Sequence, residues 1–225
     1  MSQELSLVLS EVDAILLDFD GPVCSVFAGY PAHAVAAELV QAIATAGIVT
    51  ASIESEPDPI EILRWVARQH DKELTTAADQ MLTAEEVKAV ATAKPTPFTH
   101  DLIVAVDSID MPLVVVSNNS SACISVYLAA HGFDGMIRAI EGRPFADPAR
   151  MKPDPAVVLA AIAGLGLSAD RCVLIGDSPS DMVAAASAGA RRIGYANREG
   201  KHTRLMDAGA EVIVDDIGSI LSVFT

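Results

Sequence analysis

The sequence predicts an α/β fold, a doubly wound parallel sheet that carries a small inserted α-helical segment. Short apolar runs recur along the 225 residues, and each stops at an acidic or Ser/Asn cluster. Helical patterns lie between the runs, and strand–helix–strand alternation implies a parallel sheet with helices on both faces. One gap, from about Val26 to Lys94, has helical periodicity, no convincing strand, and too much length for one crossover. A hydrophobic fraction of 51% with only 4% aromatics suits Val, Ile and Leu strands buried under Ala-rich helices.

The first strand is the run Val12 to Leu17, bounded by Asp18-Phe19-Asp20-Gly21. The long gap follows. Within it Pro31 to Ala46, Pro57 to His70 and Thr83 to Ala93 read as helices, with Glu85 and Glu86 near the positive end of the last. The segments SVFAGYP and KPTPFTH flank this gap as hinges, so residues 26–94 are expected to form a helical cap on a core of residues 1–25 and 95–225.

The second run, Leu113 to Val116, ends in Ser117-Asn118-Asn119-Ser120 and leads into a helix from Ser121 to His131. Pro155 to Leu165 reads as the next helix. The run Cys172 to Ile175 ends in Gly176-Asp177-Ser178, followed by a helix from Asp181 to Ala188 that closes at Gly189. Val212 to Val214 ends in Asp215-Asp216. In such sheets ligands bind beyond the carboxyl ends of the strands, where these polar clusters fall.

A formal net charge of −15 argues against nucleic acid or an anionic membrane as partner, since both need clustered Lys and Arg. No apolar run approaches the ~18 residues of a spanning helix, and the start lacks a basic segment followed by an apolar one. The expectation is a cytoplasmic protein, monomer or homodimer. Cys24, Cys123 and Cys172 are widely separated and lack CxxC spacing, which reads as reduced, partly buried thiols.

Period-2 geometry sends Asp18 and Asp20 to the same side while Phe19 points elsewhere, and two carboxylates so close call for a divalent cation or a proton. Asp177 is the natural further ligand; Asp181 is placed to cap its helix and to support the site. The Ser117 hydroxyl, with the backbone N–H groups of Asn118 and Asn119, is suited to phosphate oxygens at a helix start. Lys152 stands on a turn stiffened by Pro153 and Pro155, ahead of a helix.

In this order, DFDG, a strand ending in Ser117, Lys152 opening KPDP, and GDSPSD resemble the four motifs of the haloacid dehalogenase superfamily. The likeness runs from about Val12 to Asp216 and extends to the insert between the first two motifs. It points to the branch with an inserted helical cap that includes phosphoglycolate phosphatases and β-phosphoglucomutases.

The resemblance implies a Rossmann-like core and hydrolysis of a small phosphorylated metabolite through an aspartyl-phosphate. Asp18 would be the nucleophile and Asp20 the general acid and then base. Asp18, the backbone carbonyl of Asp20, and Asp177 would hold Mg²⁺ with support from Asp181, while Ser117, Asn118 and Lys152 would bind the phosphoryl group. Asp20 argues against the dehalogenase branch, which lacks an acid there. Pro22 departs from the usual Thr or Val after DxDG.

Two other readings stay open: a phosphomutase of β-phosphoglucomutase type, and a non-catalytic phosphate- or protein-binding relative. For substrate contacts the segment Val23 to Tyr30 is favoured, with His33, Arg64, Trp65, Arg143 and Arg198 as further candidates.

Overall fold

The computed structural model describes residues 2–69 and 71–225. After helix α1 (Ser2–Ser10), strand β1 (Ala14–Leu17) runs down the middle of a six-stranded sheet. The other strands of that sheet are β4 (Leu113–Val116), β5 (Ala139–Glu141), β6 (Cys172–Gly176), β7 (Arg191–Tyr195) and β8 (Val212–Val214). Their order is β5-β4-β1-β6-β7-β8, and every neighbouring pair is parallel. Leu17 pairs with Val115 on one side and Ile175 on the other, so the chain leaves three adjacent strands at Asp18, Ser117 and Asp177. That register alone gathers residues separated by more than a hundred positions.

Alternate residues of the strands supply two cores. Ile15, Leu17, Val115, Val173 and Ile175 pack against α1, α5 (Thr99–Ser108), α6 (Ser121–His131) and α10 (Gly218–Leu221). On the other face Ala14, Leu16, Val114, Val116 and Leu174 meet α7 (Ala156–Leu165) and α8 (Pro179–Ala188), where Ala184, Ala185 and Ala188 allow close approach. Helix α9 (Lys201–Asp207) packs through Leu205 beside β7 and β8.

The sequence reading passes over β5 and β7. Strand β7 starts with Arg191 and Arg192, which hide its character; both are paired with carboxylates, Arg191 with Glu11 and Glu211, Arg192 with Glu211.

In the long gap the helices are α2 (Ala32–Thr45), α3 (Pro59–Arg68) and α4 (Lys72–Val90). They share an apolar cluster that includes Val35, Leu39, Ile62, Leu63, Val66 and Leu82. Where the chain leaves and re-enters the core, β2 (Cys24–Ser25) and β3 (Lys94–Pro95) form a two-residue antiparallel pair. His70, expected at the end of the second helix, lies outside the described residues. Helix α4 begins at Lys72 instead of Thr83 because Asp71 caps it, its carboxylate accepting from Leu74 N at 2.9 Å. Glu85 and Glu86 therefore lie in its last turns instead of its first, and Glu86 is fully buried. No helix among the described residues is long and apolar enough to cross a membrane.

Candidate active site

Beyond the carboxyl ends of β1, β4 and β6 lies a cavity of about 610 Å³, lined by Asp18, Asp20, Ser117, Asn118, Lys152, Asp177 and Asp181 from the core and by Asp58, Ile60 and Arg64 of the insert. A second cavity of about 520 Å³ adjoins it, sharing Asp20, Asp177, Ser178 and Arg198 and continuing to Lys201 and Arg204. Asp18, Asp20, Ser117, Asn118, Lys152, Asp177 and Asp181, the residues to which the resemblance assigns roles, all line the first cavity.

Lys152 is fully buried, its ammonium 2.8 Å from Asp18 Oδ1, 2.5 Å from Asp181 Oδ1 and 2.9 Å from the Val116 carbonyl. Asp18 Oδ1 also accepts from the Phe19 N–H at 2.8 Å. Both contacts engage the same oxygen, and Oδ2 accepts no hydrogen bond from the described residues. Burial, then the Asp181 charge, raise Asp18 to about 8, with Lys152 opposing them. The same two carboxylates hold Lys152 charged, above its ordinary value, against its own burial.

Asp181 sits in the first turn of α8, in a reciprocal capping box: its N–H donates to Ser178 Oγ and its Oδ2 accepts from Ser178 N at 3.0 Å. Its other oxygen, Oδ1, lies close to Lys152 but off any hydrogen-bonding direction. It is the buried side-chain polar atom among the described residues left without a hydrogen bond. The capping role expected of Asp181 is carried by Oδ2, while Oδ1 stays beside Lys152.

Asp20 turns its Oδ1 to the Val26 N–H at 2.9 Å, where the chain enters the insert. Burial raises it to about 6; the Val26 bond opposes this, and Asp177 adds to it. Gly21, at φ +109°, stands where a Cβ would lie 2.4 Å from Asp177 Cγ, so both its conformation and the space exclude a side chain. Pro22 fits the same loop: Val23 N and Cys24 N both reach Phe19 O, while Pro22 O receives Thr99 Oγ1 at 2.6 Å.

Asn118 clamps the backbone of Lys152 from both sides, Nδ2 donating to its carbonyl at 3.0 Å and Oδ1 accepting its N–H at 2.9 Å. Arg64 of α3 adds a bond to the same carbonyl at 2.5 Å. Of the two N–H groups expected to serve phosphate oxygens, Asn119 N donates to Ser117 Oγ at 3.2 Å and Asn118 N has no partner among the described residues. Ser117 Oγ in turn reaches Asn119 Oδ1 at 3.3 Å.

A family model described as haloacid dehalogenase-like hydrolase matches residues 12–189. The chain belongs to this family. It is 33% identical over 102 residues to a phosphoglycolate phosphatase of Rhodospirillum rubrum, a match covering 39% of this chain and 40% of the relative. To a phosphoglycolate phosphatase of Pectobacterium atrosepticum it is 31% identical over 113 residues, covering 49% of this chain and 47% of the relative. The chain thus spans about half the length, or less, of these curated relatives. In fold it is similar to a haloacid dehalogenase-like family hydrolase of Streptococcus pneumoniae, with a TM-score of 0.69 at 16% identity over 96% of this chain and 100% of that one.

In this haloacid dehalogenase-like hydrolase the donor set fits a divalent cation. Carboxylate oxygens of Asp18, Asp177 and Asp181 lie within 4.8 Å of one another, and one belongs to the orphaned Asp181. Lys152 pairs with both Asp18 and Asp181 and Lys201 with Asp177, so the paired carboxylates outnumber the ammonium groups that face them by one.

Lys201 and Asn197 are site residues that sequence reasoning misses. Both bind Asp177 Oδ2, Lys201 in close contact and Asn197 at 3.1 Å. The signal is faint: a Lys and an Asn following a strand whose character is itself hidden. Of the other candidates, Arg198 lines both cavities and Arg64 the first. Tyr30 bonds Glu38 and Glu85, His33 is exposed, and Trp65 packs against the insert's apolar cluster. Arg143 faces neither cavity nor solvent, but lies buried between Asp79 and Glu86. All three cysteines are free and buried, and burial pushes the Cys24 thiol far up.

Proposed function

We propose that this hydrolase is a Mg²⁺-dependent phosphatase acting on a small phosphate monoester through an aspartyl-phosphate on Asp18. The observation that carries this reading is the buried Asp18–Lys152–Asp181 cluster, with one Asp18 oxygen fixed and the other free beside a surplus of carboxylate. A carboxylate nucleophile meets repulsion from a phosphate dianion, and Mg²⁺ bound by Asp18, Asp177 and the Asp20 carbonyl, with Asp181 in support, would supply the neutralising charge.

In the first step Asp18 Oδ2 attacks phosphorus, the ester P–O bond breaks, and Asp20 gives its proton to the leaving oxygen. A value raised to about 6 keeps a useful fraction of Asp20 protonated for this. Asp20 then takes a proton from water as its oxygen attacks phosphorus, which frees phosphate and restores Asp18. Ser117 Oγ, Asn118 N and Lys152 hold the transferring group, and the insert, residues 26–94, excludes bulk water as a cap.

The curated relatives named above support phosphoglycolate, or another small phosphorylated acid, as the first substrate to try, with Arg64 and Arg198 as the nearest cations to a second anionic group. The test is a panel of phosphorylated metabolites with and without Mg²⁺. Release of phosphate without any bisphosphate activator is expected; silence across the panel with Mg²⁺ present would overturn the reading.

A further inference from the structure

A second set of buried charges lies outside the catalytic machinery, between helix α4 of the insert and the core. Arg143 donates through Nε to Asp79 Oδ1 at 2.8 Å, and through Nη1 to Glu86 Oε1 at 2.7 Å. Its Nη2 reaches Thr83 Oγ1 at 3.0 Å. Asp79, Thr83 and Glu86 stand four and three residues apart, one face of α4.

What this cluster grips is the loop after β4. Arg143 Nη1 reaches the Asn118 carbonyl at 3.0 Å and Arg143 N the Asn119 carbonyl at 2.8 Å. Glu86 accepts from Ser120 N at 2.9 Å and from Asn119 Nδ2 at 3.2 Å. Asn119 in turn fixes Ser117 Oγ. The anion-receiving N–H at the start of α6 is therefore already taken by a carboxylate of the insert.

We propose that Glu86 and Arg143 are positioning residues: α4 of the insert holds the Ser117–Ser120 loop so that Ser117 Oγ and Asn118 N face the transferring phosphoryl group. This rests on the phosphatase reading above. It assigns the insert a part in building the phosphate site besides covering it, because α4 cannot leave the core without releasing the loop. Asp79 supplies the contrast. It pairs with the same arginine and with Ala146 N at 2.6 Å, yet makes no contact with the loop.

The experiment compares Glu86→Gln with Asp79→Asn. Ser120 N and Arg143 Nη1 engage different oxygens of Glu86, and Gln replaces one of those oxygens by an NH2 donor, so one of the two loses its acceptor. Affinity for inorganic phosphate, by calorimetry in Mg²⁺, is expected to fall roughly tenfold in Glu86→Gln, with kcat/KM falling alongside, and to stay within about twofold in Asp79→Asn although both lose thermal stability. In a Ser117→Ala background Glu86→Gln should cost less than it does alone, since Ser117 Oγ is one of the two groups that the held loop presents.

If Glu86→Gln does not fold, Ser120→Pro deletes the N–H from the loop side at a residue whose φ of −64° a proline accepts; since Ser120 Oγ also caps α6 at Cys123 N, the loss of phosphate affinity is expected to exceed that of Ser120→Ala, which removes the cap alone. Equal loss in the Asp79 and Glu86 variants, unchanged phosphate binding in Glu86→Gln, a loss in Ser120→Pro no greater than in Ser120→Ala, or full additivity with Ser117→Ala would overturn the proposal. A wild-type protein that neither binds phosphate nor releases it from any ester would instead overturn the phosphatase reading, and this inference with it.

Discussion

Two clusters in this hydrolase have the same make-up, two buried carboxylates on one buried cation, and opposite states of satisfaction. Around Arg143, Asp79 and Glu86 every carboxylate oxygen has a donor, two of them backbone N–H groups. Around Lys152, Asp181 keeps an oxygen without a hydrogen bond, and Asp18 leaves one open to the cavity. Arg143, like Lys152, reaches one oxygen of each carboxylate; what completes its cluster is the backbone, Ala146 N and Ser120 N taking the two oxygens that the guanidinium leaves. The closed cluster holds parts of the chain together, whereas the incomplete one has capacity left for a cation and a reacting group.

The sharpest way to break the comparison is to alter the open cluster's nucleophile. Asp18→Asn keeps the shape and removes the attacking charge, and kcat is expected to drop by about 10⁴-fold or more with the circular dichroism unchanged. Substantial retained turnover would remove Asp18 from the mechanism.

The closed cluster should respond in stability. Arg143→Met strands two buried carboxylates at a cost of about 3–5 kcal/mol, which for a chain of this size lowers the melting midpoint by roughly 10 °C. A midpoint within a degree or two of wild type would show that the closed cluster is not what holds α4. Asp181→Asn, by contrast, should weaken Mg²⁺ binding by about 10–100-fold in calorimetry while Ser178 still caps the helix; unchanged affinity would exclude Asp181 from the cation site.

The smallest effect expected is a slope with pH. Burial raises Asp18 to about 8 and Asp20 to about 6, so between their unfolded values near 4 and these values the folded chain binds more protons than the unfolded one. Without metal, stability is then present at low pH and is lost as pH rises through this window. The melting midpoint should fall by several degrees from pH 5 to pH 8, and Mg²⁺ should restore more at pH 8 than at pH 5; a flat profile would mean these carboxylates are not buried together without charge compensation.

The same contrast explains what was legible in the sequence. Asp18, Ser117 and Asp177 follow uninterrupted apolar strands, so strand ends alone announce them, and Lys152 is marked by the prolines that stiffen its turn. Lys201 and Asn197 follow β7, whose first two residues are arginines made tolerable by Glu11 and Glu211, contacts that no local pattern reveals. Asp79 and Glu86 had a readable signal, a polar stripe at helical spacing among Ala78, Leu82 and Ala89. It is easily taken for a solvated face, since only the tertiary fold brings Arg143 opposite.

Helix α3 joins this picture through one residue more. Trp65, the sole tryptophan, sits half-buried next to Arg64, whose guanidinium reaches the Lys152 carbonyl at the edge of the cavity. The protein thus carries one optical reporter on the helix that lines the cavity: intrinsic tryptophan emission, with no label, is the measurement in which a movement of α3 on ligand binding would register.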